Sequence, residues 1–375
     1  MKNENIKICI ISQGGSIHLK RALKYLAEAG YEVHLITEEP CGVEGIKEHF
    51  LNHCILNLPK LKLLARYIAY KWLLFRIKPQ VLHIICIHPY NGIAALTGFH
   101  PLIITAWGAD ILPEQGALNS LLSRFILKQT ITRADIVIGV SNEIKLLMDE
   151  NKKTSTPSYL IKFGVDLEIY KPMPIKQKTD NDAVLFCPRA IAPIYNIDIL
   201  IEAMPKVLSK NRNVKLVLKS YGKNDDEQYT KQLKERIKKY GIEDRVVIIE
   251  KWLSDKEFAE LYNSSDIIIS IPSSDGMPSS ILEAMACGVP VIASDLPSMR
   301  EIIHSGENGS LVPPRNVELL AENILLLLSN DKLSKQYIAK NLDFIEMEAC
   351  LDGEMRKVEA LYKQAIGQEK IRCAE

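Results

Sequence analysis

The sequence has no Cys-x-x-Cys pair, no apolar run approaching the ~18 residues of a membrane-spanning helix, and almost no net charge. Each absence excludes something. The eight cysteines (9, 41, 54, 86, 187, 287, 350 and 373) are scattered, and Cys9 and Cys86 sit inside apolar, strand-like runs. Neither a zinc site nor a disulfide framework follows; reduced, buried thiols in a cytosolic chain are expected. The apolar run opening at Ile8 is too short for a secretory h-region and reads as a strand. A net charge of +1 argues against a general nucleic-acid binder. The glycines after that strand, in Ser12-Gln13-Gly14-Gly15-Ser16, do not form G-x-G-x-x-G. Glu38 and Glu39 nevertheless stand near where a dinucleotide fold keeps its ribose-binding acid, so an NAD enzyme stays open as an alternative.

One local absence says more than the totals. No acidic residue occurs between Glu48 and Asp110. Within that gap Lys60, Lys62, Arg66, Lys71, Arg76 and Lys78 alternate with leucines, Ile68, Tyr67, Tyr70, Trp72 and Phe75. Residues 60–78 therefore read as a basic amphipathic helix, suited to an anionic membrane surface. The competing reading is a core-packed helix whose long basic side chains cover apolar surface.

What remains is an ordinary globular composition, 47% hydrophobic and 25% charged, in 375 residues, enough for two domains. Strand and helix patterns alternate throughout, as in parallel sheets covered on both faces. Lys7 to Ser12, Tyr31 to Thr37, Val81 to Ile87, Leu102 to Ala106, Ile136 to Val140 and Ser158 to Ile161 are the strands expected in a first domain, residues 1–168. A polar stretch with Pro172 and Pro174 makes 169–182 the expected linker. A second series follows, from Ala183–Cys187 to Gly309–Val312, in a domain at 183–343 with helices at 344–375. The expected fold class is α/β, two Rossmann-like doubly wound domains facing a central cleft.

The most informative stretch is Ser273 to Pro290, SSDGMPSSILEAMACGVP. Asp275 and Glu283 flank a turn, made by Gly276 and Pro278, that opens a short helix. Ser279 or Ser280 is placed to cap it and Gly288 to end it. The unpartnered N–H groups of such a helix start suit a phosphate, and the acids suit hydroxyls beside it, a combination that describes a nucleotide sugar. Ser280-Ile-Leu-Glu283 is equally a capping box.

Elsewhere, Gly14 and Gly15 either let a backbone approach a phosphate or form a plain tight turn. Arg189 follows a strand end, where ligands bind in open α/β sheets. Asp110, in Trp107-Gly108-Ala109-Asp110, reads as an acceptor-hydroxyl contact or general base, or as a turn aspartate. His83 and His88 are five apart, poor spacing for a shared metal; a structural role is the plainer reading, with a cleft role open for His88. Asp180-Asn181-Asp182 imitates the D-x-D of metal-dependent sugar transferases but falls in the linker and reads as solvated.

Taken together, the chain resembles the family 4 glycosyltransferases of the GT-B fold (glycosyl transferases group 1) over nearly its whole length. The resemblance rests on Asp275 to Glu283 followed by Ala284-Met285-Ala286 and Gly288-Val289-Pro290-Val291, on Gly14-Gly15, on Phe163-Gly164-Val165-Asp166 with Tyr170-Lys171-Pro172, and on Asn308-Gly309 with Leu311-Val312-Pro313. It implies a retaining enzyme, without metal or cofactor, that moves a sugar from a nucleotide-sugar donor of UDP or GDP type to a hydroxyl of a glycan or lipid-linked acceptor, in polysaccharide or glycolipid biosynthesis. Glu283 would hold the donor ribose and Asp275 the donor sugar, with Asp110 the third candidate catalytic acid. Ser279, Ser280, Gly276, Met277, Arg189, Gly14 and Gly15 would line the donor site, and Trp107 and His88 the acceptor side. The last helices would brace the first domain. The expected location is cytoplasmic, peripheral on the cytoplasmic membrane face. Three positions depart from the family: Asp275 replaces the usual glutamate, Tyr195-Asn196 stands where Lys-Gly is common, and Trp107 stands where a histidine is frequent. These departures keep a nucleotide-binding protein without transfer activity open as an alternative, beside a sugar-nucleotide epimerase.

Overall fold

A computed structural model of the chain describes residues 6–51, 62–113, 120–174 and 182–372, with side chains as far as Gly367. The chain divides into two compact units. Unit 1 is Met1–Gly164 with Asp352–Glu375, and unit 2 is Val165–Leu351.

Unit 1 is built on a parallel sheet of β1 (Lys7–Ile11), β2 (Glu32–Thr37), β3 (Lys47–Phe50), β4 (Val81–Ile85), β5 (Leu102–Ala106), β6 (Ile136–Gly139) and β7 (Ser158–Leu160), in the order β3-β2-β1-β4-β5-β6-β7. The central strands are buried along their whole length because helices cover both faces, which is why they read as continuous Ile/Leu/Val runs. Its helices are α1 (Ile17–Glu28), α2 (Lys62–Ile77), α3 (Leu121–Arg133) and α4 (Asn142–Asp149). The strand the sequence conceals is β3, Lys-Glu-His-Phe: an edge strand, half exposed, with no apolar run to betray it.

Unit 2 repeats the plan with β8 (Ala183–Cys187), β9 (Val214–Lys219), β10 (Val246–Ile249), β11 (Ile267–Ser270), β12 (Val291–Ser294) and β13 (Ser310–Val312), ordered β10-β9-β8-β11-β12-β13 and again parallel. Around it lie α5 (Ile197–Lys210), α6 (Glu227–Tyr240), α7 (Asp255–Asn263), α8 (Ser279–Ala286), α9 (Val317–Ser329) and α10 (Asp331–Glu348). The last helix, α11 (Leu351–Arg372), returns to unit 1.

The crossings differ from the sequence boundaries. The chain leaves unit 1 after Gly164 and re-enters it at Asp352. Val165 N–H donates to the Ala349 carbonyl (2.8 Å) and Leu351 N–H to the Val165 carbonyl (2.9 Å), so the outgoing and returning strands run side by side. The first part of the expected linker is not free: Met173 N–H donates to Asn263 Oδ1 at 2.7 Å, and Asn263 Nδ2 to the Lys171 carbonyl. Of the Asp-Asn-Asp motif, Asp180 and Asn181 lie outside the described residues, and Asp182 pairs with Lys215 at 2.9 Å and Arg245 at 3.4 Å.

Helix α11 is held to unit 1 by polar contacts. Glu354 accepts the Lys162 N–H at 2.7 Å, and Tyr25 donates to Glu359 at 3.0 Å. Tyr362 Oη lies 2.8 Å from His83 Nδ1, whose Nε2 lies 2.7 Å from Thr105 Oγ1. His83 is thus a satisfied structural histidine. Burial presses its pKa down to about 3, so the folded protein keeps it neutral where the unfolded chain protonates it. The unfolded state then binds more protons below about pH 6.5, and folding stability falls by up to about 1.4 kcal/mol per pH unit as pH drops toward 3. Urea denaturation of His83→Gln is expected to show a flatter loss of stability between about pH 6 and pH 4 than the wild type.

Candidate functional site

In both sheets the strand order reverses once, between β1 and β4 and between β8 and β11. Helices leave such neighbours toward opposite faces, opening a crevice at the strand carboxyl ends. Most of the residues singled out in the sequence fall at these two places. Gly14, Gly15 and His88 follow β1 and β4; Arg189 follows β8, and Asp275 to Glu283 follow β11.

In unit 2 the polypeptide leaves β8 through Pro188, and Arg189 turns toward the loop after β11. Its Nη2 lies 2.9 Å from Asp275 Oδ2, with the two side chains only 13% and 10% exposed. Arg189 Nη1 donates to Ser280 Oγ at 3.4 Å, and its guanidinium sits 4.3 Å over the ring of Tyr195. Burial opposes its charge, but Asp275 and Tyr195 prevail and hold its pKa above the ordinary arginine value. Tyr195 is placed by Asn196, which adopts φ +51° and donates from Nδ2 to the Ile271 carbonyl (2.9 Å) and Ser273 Oγ (2.8 Å). The lysine expected of the family is thus replaced by an aromatic face under the arginine. Nearby at the end of β9, the Lys219 ammonium donates to the Ser220 carbonyl and lies 4.7 Å from the Tyr221 ring.

The start of α8 corrects the capping expectation. The N-cap is Pro278, no side chain caps it, and Ser279 and Ser280 are the first two helical residues. Ser279 N–H points back to the Met277 carbonyl at 3.0 Å. Gly276 and Met277 are buried in the turn, which Ser298 fixes by donating to the Asp275 carbonyl at 2.6 Å. Glu283 therefore has no capping serine to reach. Its Oε2 accepts instead from the Tyr262 hydroxyl of α7 at 3.1 Å. Burial first, and the Glu283 charge second, push the Tyr262 and Tyr221 hydroxyls well above the usual phenol range, keeping both protonated. These two tyrosines escaped the sequence reading, because each meets the site across a separation that no local spacing reveals.

In unit 1, Gly14 N–H donates to Thr37 Oγ1 at 2.9 Å. A Cβ on Gly14 would lie 2.0 Å from the Glu39 carbonyl oxygen, and one on Gly15 2.6 Å from Glu39 Oε2. Backbone crowding requires the glycine at 14, whereas at 15 only a movable side-chain end stands in the way.

Asp110 corrects its expected catalytic role. It is 2% exposed, and its carboxylate accepts three backbone N–H groups, from Ile87 (2.7 Å), Gly108 (2.8 Å) and Trp107 (3.0 Å). Burial raises its pKa while these bonds oppose the rise. A carboxylate so enclosed pins the loop after β4 to the loop after β5; it is a structural turn aspartate. The loop it pins presents Trp107, edge-on to Phe163 at 5.6 Å, and His18 stacks on Phe163 at 4.4 Å. His88 lies apart from that trio, beside Tyr90 at 5.3 Å, its pKa lowered chiefly by burial. Among the described residues no cluster of three or more His, Cys, Asp or Glu is arranged to hold a metal, and no helix is long and apolar enough to cross a membrane.

Comparison with known proteins fits this geometry. Residues 171–343 match the family described as glycosyl transferases group 1, and residues 7–142 match glycosyl transferase 4-like. The chain belongs to the group 1, family 4 glycosyltransferases. An uncharacterized glycosyltransferase of Methanocaldococcus jannaschii is 29% identical over 92% of this chain and 93% of its own length. A phosphatidyl-myo-inositol mannosyltransferase of Mycobacterium leprae is 33% identical over 43% of this chain and 41% of its own. The crystal structure of Anabaena HepE with UDP and glucose superposes with a TM-score of 0.79 at 19% identity, covering 96% of this chain and all of that one; this likeness gives the fold, GT-B. In this glycosyltransferase the loop after β11 thus carries a buried Asp275 ion-paired with Arg189.

The two glycines of unit 1 separate cleanly by substitution. Gly14→Ala is expected to lower stability by about 1–3 kcal/mol, since it collides with backbone. Gly15→Ala should cost less than about 1 kcal/mol, because a flexible carboxylate end can yield. Urea denaturation of both variants measures the difference.

Proposed function

We propose that this glycosyltransferase retains anomeric configuration, needs neither metal nor cofactor, and moves a sugar from a UDP or GDP sugar to a hydroxyl of a glycan or lipid-linked acceptor in polysaccharide or glycolipid biosynthesis. The observation that carries the reading is the arrangement around the start of α8: a buried arginine, a helix N-terminus without a side-chain cap, and two carboxylates in one small region. The helix start and Arg189 supply positive potential for the departing nucleoside diphosphate, stabilising charge as it develops. Glu283, braced by Tyr262, accepts from the ribose hydroxyls. Asp275 accepts from a hydroxyl of the donor sugar, and Arg189 passes from it to the phosphate as the donor enters. A leaving phosphate oxygen takes the acceptor proton on the same face of the sugar. Trp107 offers an acceptor-side face. The names of HepE with UDP and glucose, and of the phosphatidyl-inositol mannosyltransferase, support the donor and acceptor classes by similarity. The same reading seats the protein peripherally, on the cytoplasmic face of an anionic membrane, through α2.

One observation favours a second reading, nucleotide binding without transfer: Tyr195 occupies the lysine position and Asp275 already neutralises Arg189.

Glu283→Ala is expected to lower kcat/KM for transfer by about 10²-fold or more, by removing charge-assisted contacts of about 1.5–3 kcal/mol each. Its circular dichroism should match the wild type. A thermal-shift panel of UDP, GDP, ADP and NAD identifies the donor nucleotide, and hydrolysis of the matching nucleotide sugar, with and without chelator, reads turnover. Wild-type transfer by Glu283→Ala, or stabilisation by NAD alone, would sink the proposal; nucleotide binding with no turnover would establish the second reading.

A further inference from the structure

Helices α2 and α3 belong to crossovers, β3 to β4 and β5 to β6, that step the same way along the sheet of unit 1. Right-handed crossovers put both helices on the same face of that sheet. Both pack on the segment between them: Tyr70 of α2 donates to the Tyr90 carbonyl at 3.0 Å, and Thr130 of α3 to the Gly92 carbonyl at 3.0 Å.

Their outer sides are unusual. In α2 the core takes Tyr70, Leu73, Leu74 and Ile77, yet the opposite ridge is also apolar: Leu64, Ile68, Trp72 (54% exposed) and Phe75 (75% exposed). In α3 the core takes Ile126, Leu127 and Ile131, and the outer ridge opens with Leu121 (85% exposed), Leu122 and Phe125 (55% exposed). Contiguous large apolar ridges on a surface mark an interaction site. The two helices together hold seven Lys or Arg and not one Asp or Glu; of the seven, Arg66 is buried and paired with Glu38. The cations sit among the exposed rings: Arg76 lies 4.8 Å over Trp72, Lys78 lies 6.0 Å from the Phe75 ring, and Arg124 is adjacent to Phe125 in sequence. The next helix on this face, α4, carries Glu143 and Asp149, so the run of helices without acidic residues ends there.

We infer that α2 and α3 form one docking face for an anionic lipid bilayer, with α3 a second anchor beside α2. Aromatic and leucine side chains enter the headgroup boundary while the adjoining guanidinium and ammonium groups meet lipid phosphates. Charge selects this partner: apolar ridges on two helices that carry Lys and Arg but no Asp or Glu fit an anionic surface, and two ridges on one sheet face fix the orientation of unit 1 as a single helix cannot. The inference extends the membrane partner of the function proposed above from one helix to two, and it stands whether or not the enzyme transfers sugar.

Flotation with vesicles of phosphatidylcholine alone, and with about one-third phosphatidylglycerol, tests it. The wild type should bind only the anionic vesicles and release with salt. Trp72→Ser with Phe75→Ser, and separately Leu121→Ser with Phe125→Ser, should each weaken binding by about tenfold or more, and the four together should abolish it. These side chains are exposed, so thermal midpoints should stay near the wild type. Undiminished binding after the Leu121 and Phe125 changes, with loss after the Trp72 and Phe75 changes, overturns the second anchor and leaves the single-helix reading. No wild-type binding, or equal binding to both vesicles, overturns both. A wild-type dimer in solution that these variants make monomeric assigns the face to self-association and overturns the lipid proposal.

Discussion

Both sheets are parallel throughout, and that constraint governs the rest of the molecule. A parallel sheet is stable only when helices cover both of its faces, so strand interiors have no room for unpaired polar groups. His83 shows the condition for an exception: it is tolerated within β4 because Tyr362 and Thr105 occupy its two ring nitrogens. Polar chemistry is thereby driven to the strand carboxyl ends, where loops meet helix N-termini. The positions at which the strand order reverses, β1 with β4 and β8 with β11, are where those loops diverge and leave space. The Arg189–Asp275 cluster of unit 2 sits at one of them, and the glycine turn of unit 1 at the other.

Within the unit 2 cluster the governing rule is that a buried charge keeps a partner. Arg189 and Asp275 form an ion pair at 2.9 Å, and Tyr195 adds a ring face beneath the guanidinium. Glu283 is met by the Tyr262 hydroxyl. The same rule explains Asp110, whose enclosure is supported by three backbone N–H groups and which therefore became a fastening between loops.

Much of this was legible from residues. The strand positions followed from apolar runs, and the helix starting after Pro278 followed from its turn residues and Gly288. Asp275, Arg189 and Glu283 were singled out by type and place, and the structure gathers them in one region. The edge strand β3 was hidden because a half-exposed strand needs no apolar alternation. The serine cap failed because the helix begins at Ser279, one residue after a proline that cannot cap it, and Glu283 accepts from Tyr262 of α7. The basic helix was legible too, but not its outward-facing Leu64, Ile68, Trp72 and Phe75. A sequence lists apolar residues without saying which side the core claims.

By itself the sequence determined the α/β class, the two-domain plan, the family motifs and the acid-free stretch, because these depend on residue type and local periodicity. Tertiary structure alone decided the partners: Tyr262 for Glu283, Asp275 for Arg189, the backbone for Asp110, and the segment between α2 and α3 on which both helices pack. Each of these joins residues brought together by the sheet order and the parallel crossovers, and spacing along the chain carries no trace of which strand ends become neighbours.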